Sequence, residues 1–217
     1  MTISEEVLQT CQQLYEYKEK IDGVAIQING GEKVFGEISL QLTHSSLLEC
    51  SFQRTVSWLY TLYWEVGRRS DIGFLVELLN TYELDLSGRL TEHFNIVRSL
   101  RTFLQHNIAT PDTHNNKIQR ICVEWFEASC GTSIPKCDQA WESCLSNLLS
   151  EAKQFLEAIL ECIRAIESDE SRDEILYQWS IRRKRYYSPW DYDNLIREVM
   201  GDLGLNKDVV VLQYLVC

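Results

Sequence analysis

The amino-acid sequence predicts an all-α fold, a bundle of about six to eight long antiparallel helices with a short irregular or hairpin insert near 24–40. Two observations carry that expectation. Apolar residues recur at i, i+3 and i+4 along most of the chain, the spacing that lines one face of an α-helix. Capping residues, Gly stops and only three prolines separate those stretches, and no Gly/Ser-rich or Pro-rich linker divides the chain. With 217 residues, 45 % of them apolar, the protein can bury a substantial core.

The first helix is expected over 3–21, where Ile3, Val7, Leu8, Cys11, Leu14, Tyr15 and Lys18 share a face and Asp22-Gly23 supplies the stop. VAIQINGGEKVFGEISLQL then alternates, and its NGG reads as a hairpin turn, which defines the insert. Thr43 or Ser45 caps a helix through 69 that holds Phe52, Val56, Leu59, Tyr60, Tyr63 and Trp64. The aromatic run Trp58, Tyr60, Tyr63 and Trp64 belongs to the core or to a dimer interface. A shorter helix follows Ser70-Asp71, and Ser87-Gly88 leads into RLTEHFNIVRSLRTFLQHN. KIQRICVEWFEAS stops at Gly131, and Pro135 sits near the first turn of a helix that reaches 168. SRDEILYQWSIRRKRYY completes a helical bundle over 1–187, leaving 188–217 as a small C-terminal helical appendage. Its end, VVVLQYLVC, is apolar and uncapped, the pattern of a tail packed on a core or of a chain that continues.

Several function classes are disfavoured. MTISEEVLQT lacks the basic and apolar regions of a secretory signal, and the apolar runs are too short or too interrupted by Glu to span a bilayer. A cytoplasmic protein without membrane contact is expected. The eight cysteines include no CxxC pair. Cys130, Cys137 and Cys144 recur two helical turns apart, too far for their thiols to meet on one zinc ion unless the chain turns between them. They read as small buried hydrophobes, and neither a metal nor a cofactor is expected. GxxxxGK[ST], GxGxxG, GxSxG and HExxH are all absent.

A formal net charge of −11 argues against a dedicated nucleic-acid binder. The charge is segregated, however. Acids crowd 142–174, and IRRKRYY then groups Arg182, Arg183, Lys184 and Arg185 with Tyr186. That set could grip an RNA backbone and stack a base, with a solvated helix face as the plainer reading.

What remains is SLRTFLQHNIATPD, residues 99–112. Leu100-Arg101, four intervening residues, then His106-Asn107 resembles the signature of the HEPN superfamily, all-α domains that include metal-independent RNA-cutting toxins and antiviral defence effectors. Thr102 departs from the pattern, where Asn or another larger polar residue is commoner. At the level of architecture the resemblance covers 43–168; its specific match is confined to the motif. It implies a metal-independent endoribonuclease acting on single-stranded RNA through the RNA's own 2′-OH. Arg101 would clamp the phosphate, His106 would act as general acid/base, and Asn107 would orient groups nearby. It also implies two motifs meeting at a two-fold interface, in a homodimer or with a paired helical domain, and a protein partner such as an antitoxin.

Residues five apart on a helix point about 140° apart, so Arg101 and His106 meet only where the helix frays or where a second subunit completes the pocket. The ordinary alternative gives Arg101 a surface salt bridge and His106 the helix C-terminus. His93 and His114 flank the motif and read as exposed. An alternative of another class is a non-catalytic interaction or regulatory module that docks a protein partner through the acidic face or the apolar C-terminus.

Overall fold

The computed structural model of the chain describes residues 4–42, 47–67, 71–105 and 113–185. Among them every regular element is helical and none is a strand, so the fold is all-α. The helices are α1 (Glu5–Ile28), α2 (Leu48–Tyr60), α3 (Gly73–Leu79), α4 (Arg89–Gln105), α5 (Thr113–Cys130), α6 (Asp138–Ser168) and α7 (Arg172–Arg185). The expected appendage over 188–217 lies outside the described residues.

α6 is the axis of the bundle. Its 31 residues carry a broad apolar face, from Trp141 and Leu145 through Phe155 and Leu156 to Ile163 and Ile166, opposite an exposed stripe that includes Ser143, Ser150, Glu157 and Arg164. A face of that breadth takes several helices to cover, and α1, α2, α3, α4 and α5 all pack on it. Each buried Leu, Ile or Phe contributes about 1.5–3 kcal/mol relative to exposure.

α1 begins with Ser4 accepting from the Val7 N–H, as an N-cap should. It does not stop at Asp22-Gly23, as expected from the sequence, but runs to Ile28. Ile21, Ala25 and Ile28 continue its buried face past the glycine. Asp22 itself points into the fold. One carboxylate oxygen accepts the Val34 and Phe35 N–H groups at 3.1 and 2.9 Å, and the other takes the Lys18 ammonium at 3.1 Å. A residue read as a helix breaker is the anchor of the returning chain. The stop falls at Asn29–Gly31, where Gly30 and Gly31 adopt φ of +63° and +91° and Gly31 N–H reaches the Ile26 carbonyl. NGG therefore terminates a helix and turns no hairpin. What remains of the predicted insert, 32–40, is irregular and bears Val34 and Phe35 into the core.

α2 passes directly into a π-helical segment, Thr61–Val66, that ends at Gly67. The Gly67 N–H reaches back to the Leu62 carbonyl at 2.8 Å. A methyl group here would overlap that carbonyl oxygen and sit 2.9 Å from Ile72 and 3.2 Å from Phe35. Phe52, Trp58, Leu59 and Tyr63 are fully buried within this one chain. Of the aromatic run considered above, Trp58 and Tyr63 are therefore core, while Tyr60 and Trp64 are half-buried against it.

The cysteines divide by burial. Cys11, Cys122, Cys144 and Cys162 are interior, Cys50 and Cys130 are half-buried, and Cys137 is exposed. Desolvation pushes the Cys11, Cys122 and Cys162 thiols up to about 12, away from the reactive thiolate, and raises Cys144 as well. Among the described cysteines, iodoacetamide at mildly alkaline pH should therefore label Cys137 first and spare these four until unfolding, as peptide mass mapping would read. Gly67→Ala should lower stability by about 1–3 kcal/mol, measured as a shift in urea midpoint, because a packed site is overfilled.

Candidate functional site

The arginine of the motif lies on a seam between α2 and α4. Three pairs form an antiparallel ladder there. The Arg98 guanidinium lies over Trp64 at 5.1 Å, Arg101 over Tyr60 at 4.8 Å, and Gln105 Nε2 donates to Ser57 Oγ at 2.5 Å. Contacts of this cation–ring kind are worth about 0.5–2 kcal/mol, enough to hold a long side chain in one place. Thr102 turns its hydroxyl back to the Arg98 carbonyl at 3.0 Å, a bond within its own helix. His106 and Asn107 lie outside the described residues, as does the loop to 112; His114 is in the first turn of α5, its side chain likewise outside them.

The basic run does not form the continuous exposed strip the sequence suggested. Arg183 is only 5 % exposed. Its guanidinium donates to Asp71 at 2.8 and 2.6 Å and lies 3.5 Å from Glu32. Asp71 also accepts the Trp179 indole N–H at 2.7 Å. Arg182 pairs with Glu77 and lies over Phe74. These contacts hold α7 against α3. Arg183 is withdrawn from any RNA surface; Lys184 is exposed, and the Arg185 side chain and Tyr186 lie outside the described residues.

A second constellation comes from residues that sequence reasoning placed elsewhere or passed over. His93, expected to be exposed, is 3 % exposed and sits on the inner face of α4. Its Nε2 lies 3.3 Å from the Tyr63 hydroxyl and its Nδ1 3.1 Å from Glu151 Oε2. The Trp125 indole donates to the same Oε2 at 3.2 Å. Asn147 donates to Oε1 at 3.0 Å and to Ser129 at 2.9 Å. Burial, with the Glu151 charge adding to it, raises the Tyr63 hydroxyl well above the ordinary tyrosine range, so Tyr63 remains a donor. Assigned from these partners, Nδ1–H donates to Glu151 and Nε2 pairs with the Tyr63 hydroxyl. The opposite neutral tautomer would set an imidazole lone pair against a carboxylate.

With both ring nitrogens engaged, His93 is a positioning group and no free base. His93 and Glu151 form the floor of a cleft of about 290 Å³ between α4, α5 and α6, walled by Ile96, Ile121 and Trp125. The signal for it was in the sequence. His93 shares a helical face with Ile96, Val97 and Leu100, and Glu151 shares one with Leu148 and Phe155. A polar residue in an apolar register must find partners inside.

His93 and Arg101 are eight residues apart on α4, about 12 Å along the axis, so the cleft and the motif are separate places. No three His, Cys, Asp or Glu side chains converge as metal ligands among the described residues. Nor does any described helix have the length and apolarity to cross a membrane. The fold and site define an all-α bundle with a buried Tyr–His–Glu chain and an arginine-bearing seam. Comparison with protein-family models, curated proteins and solved structures yields no match to this chain.

The Asp71–Arg183 pair yields a test of how α7 is held. Asp71→Ala should destabilise by about 3–5 kcal/mol, because it strands a buried guanidinium. Asp71→Leu combined with Arg183→Met should recover part of that loss in urea denaturation, with the Trp179 indole N–H still lacking its acceptor.

Proposed function

We propose that the protein is a metal-independent endoribonuclease of the HEPN type, cleaving single-stranded RNA. The observation that supports this reading best is the Arg101 guanidinium held over Tyr60 at 4.8 Å, four residues before the end of α4 at Gln105, with His106-Asn107 next in the chain. A fixed, permanently charged planar fork suits a phosphate diester and the charge it gathers in the transition state. In the reaction, His106 takes the proton of a ribose 2′-hydroxyl and the freed oxygen attacks the neighbouring phosphorus. The P–O5′ bond breaks, the 5′-oxygen takes up a proton, and a 2′,3′-cyclic phosphate is left. Asn107 orients groups at the same place. The nucleophile comes from the substrate, so the reaction needs no metal. Two copies meeting through their motifs would complete the site, in a homodimer or with a paired helical domain.

One observation favours a second reading. Arg182 and Arg183, two cations of the expected RNA-binding run, are engaged by Glu77 and Asp71 within the fold. A non-catalytic module that docks a protein partner needs no such cations.

Purified protein in EDTA should cut single-stranded RNA and leave 2′,3′-cyclic phosphate ends. Arg101→Ala and His106→Ala should each lower the rate by about 10²–10⁴-fold with unchanged circular dichroism, and light scattering should find a dimer. Undiminished cutting by His106→Ala, or a requirement for Mg²⁺, refutes the ribonuclease reading. Protein inert on RNA that instead captures one stoichiometric protein partner selects the second.

A further inference from the structure

We propose that the cleft between α4, α5 and α6 is a binding site for a small organic cation, an amine carried on a compact apolar body, with Glu151 as its recognition group. The proposal is independent of the ribonuclease reading.

An ionised carboxylate offers about four acceptor positions. Three donors take positions on Glu151: the His93 ring and the Trp125 indole on Oε2, and the Asn147 amide on Oε1. Oε1 retains an acceptor position beyond Asn147, and the side chain is 24 % exposed, opening on the cleft. The three donors fix the carboxylate in one orientation, the preorganisation that makes a polar group selective. Fixed acceptors of this kind select a ligand that donates.

Charge selects the sign of that ligand. Glu92 and Glu124 stand at the rim with Glu151 below them, against the single guanidinium of Arg89. Glu124 also reaches Arg120 at 3.7 Å. The cleft is therefore net negative, and its depth is less screened than its rim. The walls are apolar: Ile96 and the Trp125 ring are almost wholly buried, and Ile121 is half-buried. A cavity of about 290 Å³ equals on the order of ten water-sized groups at ~30 Å³ each, room for a ring or short chain bearing one amine. A zwitterion or an anion would set its carboxylate against Glu151.

The probe is 2-phenylethylamine, with 3-phenylpropionate as its anionic isostere, each titrated into the full chain by calorimetry and by thermal shift. The amine should bind saturably at one site and raise the melting temperature, while the acid does neither. Glu151→Gln, which retains an amide in place of the carboxylate, should weaken the amine by at least about tenfold, or 1.4 kcal/mol. Ala128→Phe, which fills the mouth of the cleft from α5 and leaves the hydrogen-bonded floor intact, should abolish binding. Equal binding of the acid, no saturable amine binding at about 10 mM, or an amine affinity that neither variant changes would overturn the proposal.

Discussion

The fold depends on one constraint: α6 carries a broad apolar face along its whole length and cannot leave that face in water. A helix of 31 residues with Cys144, Leu148, Phe155, Ile159 and Cys162 all fully buried requires several neighbours. Six other helices supply them, α7 with the smallest share. The arrangement of the rest follows from which apolar stripe each can offer. α1 lays Leu14, Ile21 and Ala25 into the core, and α2 contributes Phe52, Val56 and Leu59. The same constraint explains the polar floor of the cleft. Glu151 is carried on α6, so its partners have to come from the helices packed there: His93 from α4, Trp125 from α5 and, within α6 itself, Asn147.

The buried carboxylates share a logic. Asp22, Asp71 and Asp85 are all nearly inaccessible, and each accepts from groups distant in sequence or at a chain reversal. Asp22 gathers the backbone of 34 and 35, and Asp71 holds Trp179 and Arg183. Asp85 accepts the Leu90 and Thr91 N–H groups at the start of α4. Burial pushes the Asp85 carboxyl up, but these donors and the Thr91 hydroxyl outweigh it and leave it below the ordinary value of 3.8. A carboxylate lowered in the fold adds stability above that value and loses it as the pH falls through the lowered one. Where α-helices supply all the regular structure, such side chains provide the cross-links that a sheet would make with its backbone.

Fold class was legible because periodicity is a property of many residues at once. The interruptions were less so. Asp22-Gly23 has the composition of a helix stop, yet Ile21, Ala25 and Ile28 outweigh it by burying one continuous face. The π-helical turn before Gly67 depends on the packing of Phe35 and Ile72 against it, residues 32 positions before and five after, which no local window contains. Arg183 looked like a solvent charge because its partner, Asp71, is 112 residues away. The seam residue Arg101 could be picked out from its motif alone, but its ring partner Tyr60 could not.

α7 is attached differently from every other helix. Its single fully buried apolar side chain is Trp179, with Ile175 and Leu176 half-buried against the core, and the Asp71–Arg183 and Glu77–Arg182 contacts add polar ties. Those ties close loops of more than a hundred residues, so the chain entropy opposing them is among the largest in the molecule. α7 thus buries fewer apolar side chains than the helices gathered around α6, the condition for opening locally at lower cost. The protein should consequently behave as two cooperative units in amide hydrogen exchange. A slow unit would be centred on α6 and the helices around it, and the amides of 172–185 would exchange through a separate, lower-energy sub-global opening.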